Sequence, residues 1–172
     1  MKVGYWVCAV GFISVLVIPK LVNSQNENVG KACQFLSEVG INDTNNWKEL
    51  NYKFDGYTHG CLSGYNDIGN NVGFNGLPNN IAYYVNGVKD KVIFYKLVVN
   101  INNLQESDKA LSDLVQKSAI LMEKATKLKM PAVIKDKILK GESSGFVVDE
   151  YKIQTIRKNW PNGGYEVHFI LS

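Results

Sequence analysis

The sequence predicts an α+β domain: a mostly antiparallel sheet of about four to five strands packed against one long amphipathic helix, with short helices besides. Three observations carry this. In KVIFYKLVVNIN, Ile93, Tyr95, Leu97, Val99 and Ile101 alternate with Val92, Phe94, Lys96, Val98 and Asn100. Period-two alternation of β-branched and aromatic residues marks a strand with one buried face. Leu104, Leu111, Leu114, Val115, Leu121, Met122, Ala125 and Leu128 then recur at spacings of three, four and seven. Those positions form one stripe on a helix that turns once in about 3.6 residues. Near the end, Tyr151, Ile153 and Thr155 alternate, as do Tyr165, Val167, Phe169 and Leu171, around a break at Asn162-Gly163-Gly164.

The chain opens on a targeting segment. Lys2 is a short positive region, Val3 to Ile18 is uncharged and largely apolar, and Pro19-Lys20 ends the run. Val22-Asn23-Ser24 suits a signal peptidase, which places the cut between Ser24 and Gln25 and a single domain at 25–172. The run is shorter than the roughly 20 residues of a spanning helix. The alternative is an uncleaved anchor through residues 3–18, which would be the chain's one contact with a membrane. Cys8 leaves with the peptide, and Cys33 and Cys61 remain. An even pair in an oxidising compartment favours a disulfide, with a cysteine nucleophile as the alternative.

Residues 25–30 are polar. Lys31 to Val39 reads as a short helix stopped by Gly40, with Ala32, Phe35, Leu36 and Val39 inward. Residues 42–46 form a loop, and Trp47 to Tyr57 fits a helix and a strand about equally. HGCLSGYNDIGNNVGFNG, from His59, has neither the G-x-x-x-x-G-K-[ST] pattern of a phosphate loop nor the carboxylates of a calcium loop. It reads as an irregular connection with a short strand around Cys61 to Tyr65. NIAYYV, Asn80 to Val85, is the next strand, and Asn86-Gly87 signals a hairpin into the strand from Lys91.

Asn103 is the predicted cap of the long helix, with Glu106 in the capping-box position; Ser107-Asp108 is an alternative start. Its exposed face carries Lys109, Asp113, Lys117, Glu123 and Lys124. Pro131 and Gly141 bracket a second, short helix with Val133, Ile134 and Ile138 inward. Phe146-Val147-Val148 reads as an edge strand, and Asp149-Glu150 as a turn into the final hairpin.

The net charge is +3; without Lys2 and Lys20, 17 basic residues face 16 acidic ones. A near-neutral domain with the single arginine Arg157 lacks the basic footprint of a nucleic-acid binder. The abundant asparagines carry no functional signal.

Catalytic parts are scarce. His59 lies two residues before Cys61, on one face of an extended stretch, but a disulfide consumes the thiol. His168 falls opposite the core set of the last strand, beside Glu166 and within reach of Gln154, as a partly exposed sheet histidine. Two histidines supply too few ligands for a metal, and no cofactor motif is present. The remaining carboxylate pairs sit at a turn and a helix start, and G-x-S-x-G is absent. Aromatic residues of the strands read mainly as core. Trp160, in the last hairpin turn, and Phe94, on the half-apolar side of strand 92–100, are the candidate interaction residues.

NNIAYYVNG, KLVVNIN and W-P-N-G-G-Y-E-V-H-F-I together resemble a family of small, exported bacterial proteins of uncharacterised function. The resemblance runs from about Cys33 to the end and implies one exported domain, with no activity, cofactor or catalytic residue attached. The expected function is a secreted or periplasmic binding or interaction protein, its partner a protein or envelope component. An envelope hydrolase using His59 or His168 with a nearby carboxylate is the alternative, and a secreted effector or toxin the third.

Overall fold

Eight antiparallel strands form one sheet, in a computed structural model that describes residues 29–172 apart from positions 43, 55 and 74 and the side chains of residues 51–54. The targeting segment 1–24, its cut after Ser24 and the alternative anchor at 3–18 lie outside the described residues. The strands are β1 (Lys48–Phe54), β2 (Tyr57–Leu62), β3 (Asn66–Val72), β4 (Pro78–Val88), β5 (Lys91–Ile101), β6 (Ser144–Val148), β7 (Tyr151–Asn159) and β8 (Tyr165–Leu171). They lie in the order β1-β2-β4-β5-β8-β7-β6. The 11-residue β4 takes two partners end to end on one edge, β2 against Tyr84–Gly87 and β3 against Pro78–Ile81.

The sheet is therefore larger than the four to five strands expected. The additional strands come from the segment read as ambiguous and the segment read as irregular. Their side chains do not alternate in hydropathy: of β3, only Ile68 is buried. Backbone pairing to β4 holds β3 in place, and backbone hydrogen bonding leaves no apolar pattern in a sequence.

Helices cover one face. α1 (Ser107–Thr126) and α2 (Ala132–Leu139) bring Leu111, Leu114, Leu121, Met122, Ile134 and Ile138 against Tyr83, Val85, Leu97, Val99, Ile101, Val167 and Phe169 of the sheet. The inward face of β5 is the one its alternation predicts. The α1 helix is shorter than its stripe suggests. A 3-10 turn at Leu104–Glu106 precedes it, leaving Leu104 53 % exposed, and Lys127 ends it in the left-handed region at φ 66°. Asn103 caps the 3-10 turn, its Oδ1 accepting from Gln105 N at 3.0 Å. The capping box does not form: the Asn103 N–H it needs donates to Asn79 Oδ1 at 2.7 Å, and Glu106 Oε1 accepts from Asn71 Nδ2 of β3 at 2.7 Å. In α2 the inward residues are Ile134 and Ile138, while Val133 is 52 % exposed; one turn buries only part of a short helix.

The N-terminal segment packs on the same face. It is less regular than the helix expected over Lys31–Val39: residues 29–32 are helical, and after a turn Ser37–Val39 form a 3-10 helix ended by Gly40 at φ 87°. Leu36 and Ile41 are fully buried, and the Tyr83 hydroxyl donates to Ala32 O at 2.7 Å. Cys33 and Cys61 form a disulfide, with Cα atoms 6.0 Å apart, that ties this segment to β2.

The β4–β5 hairpin turns later than Asn86-Gly87 suggests. Both residues belong to β4, the turn is at 89–90, and a register shift lies between them. Gly87 sits there because a Cβ would meet Lys91 O at 2.0 Å. The edge strand β6, the Asp149-Glu150 turn and the β7–β8 hairpin lie where the sequence puts them.

Candidate functional site

The face of the sheet away from the helices is a cup of about 630 Å³. Its floor follows from the pleat, since every second side chain of each strand points to it. Register lays the residues out in rows. Gln154, Ile170, Lys96, Tyr84 and Leu62 run across β7, β8, β5, β4 and β2. The next row is Ile156, His168, Val98 and Ala82, and beyond it come Lys158, Glu166, Asn100 and Asn80. Phe94 and Asn86 face each other on the other side of Lys96 and Tyr84.

The cup is asymmetric. Ionisable groups collect on β5, β8 and β7, while Leu50, Tyr57, Leu62 and Phe94 line the side towards β1 and β2. Tyr57 packs edge-on against Phe94, with ring centroids 4.9 Å apart at 73°. The Lys96 ammonium stands over the Tyr84 ring, 4.5 Å from its centroid. Burial, and secondarily the charge of Lys158, pull the Lys96 pKa below its ordinary value, with Glu166 opposing.

His168 is 6 % exposed rather than partly exposed, because Val98 and Ile156 flank it in register. Its Nε2 lies 2.9 Å from Glu166 Oε1, as the shared strand face predicts. The contact is close but misaligned, and Nε2 has no hydrogen bond of good geometry among the described residues. The same Glu166 oxygen is 3.3 Å from Lys158 Nζ. Burial holds the imidazole below its ordinary pKa of 6.5; Glu166 pulls the other way, and Lys158 and Lys96 reinforce burial.

The two histidines are far apart in role. His59 shares the Cys61 face of β2, the helix-covered face, stacks on Trp47 at 6.4 Å and places Nδ1 2.9 Å from Thr58 Oγ1. The thiol next to it is bonded to Cys33. Phe94 lines the cup, whereas Trp160 is half-buried at the far end of β5, against Gly164 in the β7–β8 turn. The two candidate interaction residues therefore do not form one surface. Sequence reading missed Lys96, Lys158, Tyr84 and Tyr57 as a group. The available signal was the mixed second face of strand 92–100, too polar for a core and too apolar for open solvent.

Among the described residues no three His, Cys, Asp or Glu side chains cluster as a metal site, and no helix is long and apolar enough to cross a membrane. A scan against family models finds no match, and searches of curated proteins and of solved structures find none either.

Proposed function

We propose that this is a binding protein of an oxidising, non-cytoplasmic compartment, and that it holds a small ligand in the cup. One observation carries the reading: the sheet face that no helix covers forms a 630 Å³ cavity, floored by the buried His168 and the half-buried Lys96. The lining joins an apolar side, Leu50, Tyr57, Leu62 and Phe94, to a few convergent polar groups, Lys96, Lys158 and His168, which is the make-up of a small-molecule site. The volume falls in the range of small-molecule sites, about 300–1,000 Å³. The Cys33–Cys61 disulfide supports the compartment. The apolar segment 3–18 and the Ser24/Gln25 junction fit export with cleavage, in keeping with the resemblance to small exported bacterial proteins.

The test is titration with 1-anilinonaphthalene-8-sulfonate, a fluorescent probe with an apolar body. One saturable site on the folded protein is expected, lost in Ile170→Trp, which fills the cup floor, while circular dichroism stays unchanged. Absence of binding, or binding indifferent to Ile170→Trp in a folded variant, would refute the reading.

The His168–Glu166 contact favours a second reading, a hydrolase in which His168 takes a proton from water. It requires turnover of a p-nitrophenyl ester that His168→Gln abolishes. Turnover that persists in that variant, or none at all, removes it.

A further inference from the structure

We infer that the cup takes an amphipathic organic anion, its carboxylate between Lys96 and His168 and its apolar body against Phe94, Tyr57 and Leu62. The inference rests on the binding reading above and adds the chemical class of ligand.

Charge comes first. The cup is lined by two ammonium groups, Lys96 and Lys158, and by the imidazole of His168, with the Glu166 carboxylate beside Lys158 and His168. Glu166 is already engaged by Lys158 at 3.3 Å. Lys96 makes no ion pair among the described residues, and its ammonium rests on the face of Tyr84. A half-buried cation without a counter-ion is an electrostatic cost that one ligand anion removes. His168, one row along the floor, lines the same space with its imidazole.

Layout comes second. Lys96 is in register with Ile170 on one side and Tyr84 on the other, and His168 is one row away. From that point the floor turns apolar towards β2, through Tyr84 and Leu62, with the edge-on pair of Tyr57 and Phe94 beside it. A ligand with its charge at Lys96 therefore has its remaining bulk over aromatic and aliphatic surface. A free inorganic anion would leave that surface wet, and a neutral apolar molecule would leave Lys96 without its counter-ion.

The experiment compares decanoate, 1-decanol and decylammonium as displacers of bound 1-anilinonaphthalene-8-sulfonate at pH 7. Decanoate is expected to displace the probe at a concentration at least tenfold lower than 1-decanol, and decylammonium more weakly than either. Lys96→Met and His168→Gln should each shrink the decanoate advantage over 1-decanol about tenfold, with displacement corrected for the affinity of the probe, whose sulfonate uses the same cation, measured in each variant. Equal potency of decanoate and 1-decanol, or a decanoate advantage that survives Lys96→Met, would overturn the anion while the binding reading stands. If the probe itself does not bind the wild-type protein, the binding reading falls, and this inference with it.

Discussion

Nε2 of His168 lies 2.9 Å from Oε1 of Glu166, yet the imidazole favours its neutral form. Burial is the largest influence, Glu166 opposes it, and the ammonium groups of Lys158 and Lys96 side with burial. A carboxylate beside a histidine ordinarily raises its pKa; here its oxygen is shared with Lys158, and burial of the imidazole outweighs it.

A pH dependence follows from the direction of that shift. The folded-state pKa lies below the ordinary 6.5, so the unfolded chain takes up the proton first as pH falls. Stability contributed by neutral His168 is present above pH 6.5 and lost as pH falls below it, through the folded-state pKa. Urea unfolding between pH 7.5 and 5 should show a falling midpoint, and His168→Gln should flatten the part of that slope due to this residue. A slope of equal size in His168→Gln would assign the effect elsewhere.

Lys96→Met should leave the unliganded protein as stable as wild type or more so. Burial and Lys158 both disfavour the charged ammonium at neutral pH, and methionine keeps the aliphatic stem without the charge. Loss of the contact with Tyr84 offsets part of the gain. Thermal unfolding measures the sum. A lysine whose removal stabilises the protein while weakening anion binding marks a site kept for function. A clear fall in Tm would show that the contact with Tyr84 outweighs the cost of burial.

The disulfide closes a segment with a sequence separation of 28 and anchors Leu36 and Ile41 over the sheet. Chain-entropy reasoning gives roughly 3 to 4 kcal/mol for a loop of that size. The double variant Cys33→Ser, Cys61→Ser should lose about that much in urea unfolding relative to the oxidised protein.

What the sequence made legible follows from what writes a pattern into a sequence. Burial against helices does, and β5, α1 and the β7–β8 hairpin were readable from it. Backbone pairing does not: β3 escaped, β1 fell in a stretch that fitted helix and strand equally, and β2, Tyr57–Leu62, was met only by the short strand expected around Cys61 to Tyr65. The cup escaped for another reason. His168, Lys96 and Tyr84 lie on three strands, and only the register across β8, β5 and β4 brings them together. The asparagines, which looked like compositional noise, include a structural group. Asn79 is fully buried; its Oδ1 accepts from the backbone N–H groups of Asn102 and Asn103, both at 2.7 Å, and its Nδ2 donates to Asn103 O at 3.0 Å.

Asn79→Ala tests that group. It removes the acceptor of two N–H groups, that of Asn102 buried and that of Asn103 part-buried, where β5 gives way to the turn before α1. A buried donor left unpaired costs about 1–3 kcal/mol, so the variant should lose about 2–4 kcal/mol in urea unfolding. Hydrogen exchange should localise the loss, with the amides of Asn102 and Asn103 exchanging fastest relative to wild type.

Gly87→Ala connects the fold to the cup. A Cβ at position 87 would stand 2.0 Å from Lys91 O and 3.0 Å from Ile93 N, both backbone atoms that no side-chain rotation can move aside. The β4–β5 hairpin must therefore shift, at a cost of about 1–3 kcal/mol for a forced overlap. That hairpin carries Tyr84 on one strand and Phe94 and Lys96 on the other, so a register change at its turn displaces both the aromatic wall and the cation of the cup. Lower Tm and weaker probe binding are expected together. Gly145→Ala is the control, since nothing lies within 4 Å of a Cβ there and β6 is remote from β4 in the sheet order. A Gly87→Ala protein that loses stability but binds the probe as tightly as wild type would detach the bulge from the site. Its glycine would then serve the hairpin alone.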